Sequence, residues 1–272
     1  MDGAIAVVTG SNRGIGKETA LALAGAGMRV VMACRNLEGA RSACEEIRAK
    51  TGNPKVEVLE LDLASRESID RFAADFAQRF GRLNILVNNA GVSTIDKRAT
   101  HGRFDPNIGI NFVGTFILTT RLLPYFEEGA DDRIITLVSN IYKIGLFRLG
   151  RIEKYRWFRA YAVSKYMLLL LTLELADRLR DRGISVCAVH PGIVRTSIMY
   201  THKWFDFIIK LMLAPFFIEV EEGAKSVAAL ALKPREECAS GSFFYKMERK
   251  KLSRLYDNKK TRARLMDFSA LL

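Results

Sequence analysis

The chain has little of what marks a stapled, fibrous or membrane-spanning protein. Only four of 272 residues are cysteine (Cys34, Cys44, Cys187, Cys238), scattered and without a Cys-x-x-Cys pair. The spacing therefore specifies neither a disulfide framework nor a zinc site, and reduced thiols in a cytosol-like compartment are expected. Six prolines, twenty glycines and the lack of low-complexity tracts exclude collagen-like, linker-rich and disordered architectures. The histidines His101, His190 and His202 are isolated, and no metal is expected. No window reaches the roughly 20 apolar residues that a membrane-spanning helix requires. The nearest, Trp204 to Ile218, is interrupted by Asp206, Lys210 and Pro215. The opening MDGAIAVVTG lacks the basic segment of a signal peptide. A cytoplasmic protein is expected, with peripheral membrane association left open.

What is present is an ordinary globular composition, 49% hydrophobic and 26% charged, in a chain long enough to bury a large core. The net charge of +12 comes from two stretches. Lys143 to Arg159 sets six basic residues against Glu153, and Ser240 to Met266 sets nine against Glu248 and Asp257. No helix-turn-helix, zinc-finger or RNA-binding signature accompanies them, and few aromatics are interleaved as stacking platforms, so no nucleic-acid partner is expected. Such patches suit phosphate-bearing ligands or anionic head groups, or serve as solvated surface.

Apolar β-branched runs alternate with helical patterns along the whole chain. Strands are predicted at 4–9, 29–34, 56–61, 83–88, 133–139, 184–190 and 242–245, and helices at 14–26, 37–50, 66–80, 106–126, 160–182 and 220–232. Near-continuous apolar strands imply a sheet covered on both faces, hence parallel strands joined by helical crossovers. The fold class is α/β, a Rossmann-type doubly wound parallel sheet in one domain spanning 1–272. Residues 1–140 are expected mainly to bind a cofactor. A substrate lid is expected at about 193–222 and a basic tail at about 246–272.

The first strand runs into Gly10, Ser11, Asn12, Arg13, Gly14, Ile15 and Gly16, and then into a helix. Glycines there permit a tight turn and close approach to a pyrophosphate, and the helix N-terminus offers free N–H groups. Tyr161 and Lys165, four apart on a predicted helix, share one face, where the ammonium is expected to lower the phenol's pKa toward working pH. Further marks follow in order: Asp62-Leu63, Asn88-Asn89-Ala90-Gly91, Asn111, Ser139 ending the fifth strand, and Pro191-Gly192 after the sixth. The spacing Thr-Gly-x-x-x-Gly-Ile-Gly and these marks resemble the short-chain dehydrogenase/reductase family over essentially the whole chain. The insertion between Ser139 and Tyr161, with the run from His190 to Thr196, resembles its retinol dehydrogenase branch.

That resemblance implies a nicotinamide cofactor. An acid ending the second strand would hold a ribose 2′-hydroxyl, whereas arginine suits a 2′-phosphate. This strand ends at Cys34-Arg35-Asn36 without an acid, and Arg13 lies in the loop. NADP(H) is expected in preference to NAD(H). The resemblance implies that Asp62 meets the adenine ring, that Asn88 borders the adenosine ribose and the nicotinamide side, and that Thr196 contacts the cofactor's amide or phosphate region. Leu63, Ala90, Gly91, Pro191, Gly192 and Val194 are further expected cofactor-binding positions. The resemblance further implies Tyr161 as general acid/base and Ser139 as donor to the substrate oxygen. Lys165 would bind ribose hydroxyls, and Asn111 would hold a water. Asn140 departs from the second serine common in the family. His190 is read as a structural or pocket-edge residue.

An apolar lid implies an apolar substrate. The expected activity is interconversion of a hydrophobic, steroid- or retinoid-like carbonyl and its alcohol. Two alternatives stand beside it: broad-specificity reduction of small aldehydes, ketones or quinones, and a non-catalytic NADP-binding sensor. Peripheral membrane contact through the lid and tail is left open, as is a homodimer or homotetramer. The apolar run Tyr166–Leu173 suits either a subunit interface or the core.

Overall fold

The computed structural model describes residues 3–96, 98–128, 131–194, 217–233 and 238–269. Eight strands form one sheet in the order β3-β2-β1-β4-β5-β6-β9-β10. They are β1 (Ile5–Thr9), β2 (Arg29–Cys34), β3 (Val56–Glu60), β4 (Ile85–Asn88), β5 (Arg133–Leu137), β6 (Ser185–His190), β9 (Phe243–Tyr245) and β10 (Glu248–Lys250). All pairings are parallel except that of β10 with β9. A separate parallel pair joins β7 (Ile193–Val194) to β8 (Phe217–Ile218).

Period-two alternation explains the layers. Val7 and Val31 point into one core with Phe72, Phe76, Phe112 and the apolar face of α6 (Trp157–Arg178). Val8, Val30 and Met32 point into the opposite core, with Leu23 of α1 (Gly14–Gly25), Ile47 of α2 (Leu37–Thr51) and Val227 of α7 (Val220–Leu232). With both faces covered, each fully buried Leu or Phe adds roughly 2–3 kcal/mol of hydrophobic stabilisation. The run Tyr166–Leu173 is buried within the single chain, so it packs the core.

Capping explains where the helices start. Asn36 accepts from Gly39 N at the head of α2, and Ser65 accepts from Ser68 N at the head of α3 (Arg66–Arg79). No side chain caps α1, and no acid occupies its first turn.

Three expectations change. The helix predicted over 106–126 is broken into a short turn α4 (Pro106–Ile108), a π-helical stretch (Gly109–Gly114), α5 (Thr115–Leu122) and a 3₁₀ turn (Leu123–Tyr125). The helix predicted from 160 begins at Trp157, whose N–H donates to Asp105 Oδ2 (3.1 Å), and closes at Arg178. The basic tail is no free tail in its described part: it folds into β10 and α8 (Lys259–Ser269). In α8, Arg262 is buried and pairs with Asp177 (3.0 Å) and Asp257 (3.4 Å), which a charge count along the sequence could not show. Of the lid expected at about 193–222, residues 195–216 lie outside the described residues, with Thr196 and all but the last two residues of the run from Trp204 to Ile218.

Candidate active site

The sheet brings the carboxyl ends of β1, β4, β5 and β6 together where strand order reverses between β1 and β4, the position at which doubly wound sheets bind ligands. Three clusters of expected residues meet there.

The first cluster is a backbone cradle. Gly10 has φ +63° and donates its N–H to Ala33 O (2.8 Å), which ties the loop to the end of β2. A Cβ on Gly10 would lie 3.0 Å from Ala90 Cα, and one on Gly16 would lie 2.5 Å from Asn89 Nδ2 and 2.6 Å from Gly10 O. Only glycine fits either place. Ser11 is buried, its hydroxyl spent on Val8 O (2.9 Å). Ile15 packs its side chain on the α1–α2 core. Asn12 Nδ2 lies within 3.5 Å of a Cβ built on Gly39, so the loop leans on the start of α2, beside Asn36. Arg13 and Arg35 are exposed on that side, and neither forms an ion pair among the described residues. The uncapped head of α1 leaves its N–H groups free for an anion.

The second cluster follows β4. Thr9 Oγ1 accepts from the N–H groups of Asn89 (3.0 Å) and Ala90 (2.9 Å), while Asn89 Nδ2 donates to Thr9 O (2.7 Å) and Gly10 O (3.2 Å). Thr9 and Asn89 thus stitch the cradle to the next loop. Both stand inside quoted motifs, but only their cross-strand pairing reveals this role. Asn88 is buried and donates to Thr119 Oγ1 (3.1 Å), leaving its Oδ1 without a partner. Asp62 spends one carboxylate oxygen on Ala64 N (2.9 Å), and Leu63 is buried beneath it.

The third cluster is built from side chains on buried helices. Tyr161 and Lys165 share one face of α6, with Lys165 Nζ 5.8 Å from the Tyr161 ring centroid. The Tyr161 hydroxyl neighbours Ser139, which favours its phenolate, and Ser139 Oγ accepts from Ile141 N (3.4 Å) at the start of the 3₁₀ turn Asn140–Ile144. Lys165 Nζ donates to Leu137 O (3.3 Å). A Cβ on Gly91 would lie 3.4 Å from both Lys165 Nζ and Asn111 Oδ1, so these two polar atoms face the same gap. Asn111 sits in the π-helical stretch, an irregularity that re-aims side chains. Its Oδ1 accepts from Val92 N (2.7 Å), and its Nδ2 donates to Val92 O (2.9 Å) and Ser164 Oγ (3.1 Å). Ser164, which donates to Tyr161 O (2.7 Å), is a link the sequence reading missed although it adjoins Lys165.

The electrostatics depart from expectation. Burial pushes the Tyr161 phenol up to about 12, the neighbouring Ser139 offsetting part of this, and burial pushes Lys165 down to about 8. In the protein alone, desolvation thus outweighs the attraction expected between ammonium and phenolate. His190 is 5% exposed, and burial, aided by the charges of Lys165 and Lys143, pushes it down to about 4. It is neutral at pH 7. Pro191 and Gly192 are buried just beyond it, Val194 contributes backbone to β7, and Thr196 is not described. A cavity of about 390 Å³ lies elsewhere, lined by Ser65, Glu67, His101, Val113 and Ile117 among others and by none of the expected site residues. Among the described residues no acid–histidine–cysteine group could hold a metal, and no helix is long and apolar enough to cross a membrane.

Residues 4–204 match the short chain dehydrogenase family. The chain belongs to that family. Mouse (Mus musculus) retinol dehydrogenase 12 is 39% identical over 99% of this chain and 86% of its own length. A solved protein from Mycobacterium paratuberculosis superposes with a TM-score of 0.78 at 28% identity, covering 98% of this chain and 92% of that one. A short chain dehydrogenase from Burkholderia cenocepacia, solved in complex with NADP, superposes with a TM-score of 0.72 at 26% identity over 90% and 96%. This family member is thus retinol dehydrogenase-like, an oxidoreductase acting between alcohols and carbonyls of small molecules with a nicotinamide cofactor.

Proposed function

We propose that this oxidoreductase uses NADP(H) to interconvert a hydrophobic carbonyl of retinoid or steroid type and its alcohol, with Tyr161 as the general acid in reduction and the general base in oxidation. The observation that carries the reading is the Ser139–Tyr161–Lys165 arrangement, a hydroxyl, a phenol and a buried amine at the carboxyl ends of the strands beside the glycine cradle. The retinoid class rests on the likeness to proteins named retinol dehydrogenases.

The residues present fit a dinucleotide. The cradle has no room for a Cβ at Gly16, the helix beyond it has no acid in its first turn, and Asn88 Oδ1 is a buried acceptor without a partner. Gly10 to Gly16 would hold the pyrophosphate, Arg13, Arg35 and Asn36 the 2′-phosphate end, and Asp62 and Leu63 the adenine. Asn88, Ala90 and Gly91 would line the ribose path, with Pro191, Gly192, Val194 and Thr196 at the nicotinamide end. When bound, the nicotinamide supplies or accepts the hydride.

The chain's own residues manage the proton and the oxygen. Tyr161 gives its phenolic proton to the carbonyl oxygen in reduction and takes it back in oxidation. The Ser139 hydroxyl donates to the same oxygen as negative charge develops. Lys165 would bind ribose hydroxyls, and its ammonium would favour the phenolate against the desolvation that holds the phenol near 12. Asn111 holds Val92 and Ser164 in register, which fixes α6 against the loop after β4.

The test follows NADPH and NADH consumption with retinal, ketosteroids and small aldehydes, with Tyr161→Phe as the blank. Turnover of one lipid-like carbonyl with NADPH, lost in the blank, is the expected result. Turnover confined to small aldehydes would replace the substrate class, and tight NADPH binding without turnover on the whole panel would favour a sensor.

A further inference from the structure

All four cysteines are buried and unbridged, yet the fold makes neighbours of two that stand 51 residues apart. Cys187 lies midway along β6, and Cys238 stands in the stretch leading to β9. Their sulfurs are 3.1 Å apart, and both side chains are 0% exposed. The environment makes the two unlike. The two sulfurs share one hydrogen bond, and that bond together with burial raises the Cys187 pKa well above the ordinary thiol value. At Cys238 the shared bond outweighs burial and holds the thiol below that value, while the Arg133 guanidinium favours the thiolate of both. Arg133, fully buried at the start of β5, is anchored by Leu230 O (3.0 Å) and by Asp131. The other two thiols show no such arrangement. Cys34 Sγ sits 3.5 Å from Ser11 Oγ, Cys44 donates to Val56 O (3.2 Å), and burial raises both.

We propose that Cys187 and Cys238 form a redox-modification site, in which a hydroperoxide oxidises Cys238 and Cys187 resolves it into a disulfide joining β6 to the chain that enters β9. In the first step the Cys238 thiolate attacks one peroxide oxygen. An S–O bond forms, the O–O bond breaks, and the leaving hydroxide or alkoxide takes up a proton. The sulfur is oxidised by two electrons and the peroxide is reduced. In the second step Cys187 sulfur attacks the sulfenic sulfur. The S–S bond forms, the S–O bond breaks, and hydroxide leaves with the Cys187 proton as water. A disulfide has its sulfurs about 2.05 Å apart, so the pair closes by about 1 Å. Because both thiols are buried, a small uncharged oxidant must enter through local opening, and the reaction is slower than at an exposed thiol.

The bridge would close a loop containing β7, β8 and α7 and would pin the chain entering β9 to β6, where Ala188 pairs with Phe243. A cross-link over so long a loop acts chiefly by restricting the unfolded chain, so the oxidised protein melts at a higher temperature. The experiment treats the full chain with hydrogen peroxide, quenches it, alkylates under denaturing conditions and maps peptides by mass. The expected result is joint loss of alkylation at Cys187 and Cys238 and a linked peptide lighter by two hydrogens. Both changes are reversed by a thiol reductant, while Cys34 and Cys44 stay alkylated. Cys187→Ser should strand Cys238 as a sulfenic acid captured by a 1,3-diketone probe, and Cys238→Ser should leave Cys187 reduced. Equal oxidation of Cys34 or Cys44, or oxidation of the pair without a linked peptide, overturns the proposal. The wild-type peptide map decides this by itself if either variant fails to fold.

Discussion

The two sides of the sheet's switch point are built from different materials. On the β1–β2 side the cradle is almost wholly backbone: Gly10, Gly16, the head of α1 and the Thr9–Asn89 stitching shape a surface without titrating anything. On the β5–β6 side the arrangement consists of titratable side chains, the half-buried Tyr161 and the buried Lys165 and His190, each displaced from its ordinary pKa by loss of water. The first side fails by steric obstruction, because a single methyl has nowhere to go. The second fails by chemistry, because a side chain can be emptied of its function while the packing around it stays. Binding and reaction should therefore be separable by mutation.

The largest expected effect is on the chemical side. Tyr161→Phe removes only a hydroxyl, so the half-buried ring keeps its place on α6, and turnover should fall by about 10²–10⁴-fold. NADPH affinity, measured by fluorescence titration, should stay within a few-fold. Loss of both together would mean that Tyr161 supports the fold or the cofactor, and the comparison would collapse. The next largest effect is on stability. His190 is neutral in the fold with a pKa of about 4 against an ordinary 6.5. The unfolded chain binds the proton more readily, so stability is complete above pH 6.5 and is lost as pH falls toward 4, by up to about 3 kcal/mol. Urea titrations at pH 7.5 and 4.5 should show the difference, and His190→Gln should flatten it.

Gly16→Ala tests the backbone side. Its Cβ would stand 2.5 Å from Asn89 Nδ2 and 2.6 Å from Gly10 O, so the loop must shift, at a cost of about 1–3 kcal/mol. A lowered melting temperature and weakened binding of either nicotinamide cofactor should appear together. Unchanged affinity would show that the cradle does not carry the cofactor.

The same division explains what could be read in advance. The alternating apolar strands, the glycine loop and the spacing of Tyr161 and Lys165 are local patterns, and the structure has them where the pattern places them. The π-helical turn at Asn111 is not legible in the apolar pattern, which runs unbroken through it. Its end packs against a distant segment: a Cβ on Gly114 would lie 2.1 Å from Leu63 O, about fifty residues away. The Cys187–Cys238 proximity and the burial of Arg262 against Asp177 are likewise products of strand order, invisible to spacing or charge counts. The raised Tyr161 phenol departs from expectation for a related reason. Charge pairing can be inferred from a helical repeat, whereas desolvation depends on everything that covers the pair.

Arg35 carries the smallest effect and refines the comparison most. It is exposed just beyond β2, where Gly10 N–H to Ala33 O brings the cradle alongside, and Arg13 stands on the same loop. Neither guanidinium is engaged by a described carboxylate, so each is free to meet a phosphate dianion. Solvent and salt screen such exposed contacts, so Arg35→Ala should weaken NADPH by roughly tenfold at low ionic strength and by less at high salt. NADH, which lacks the phosphate, should bind unchanged. Arg35→Asp should go further, repelling the phosphate and offering the ribose hydroxyls an acceptor, and so should invert the preference. If NADPH and NADH lose affinity equally, Arg35 shapes the cradle as Gly16 does. The β1–β2 side would then select on backbone geometry alone, with no charge discrimination between the two cofactors.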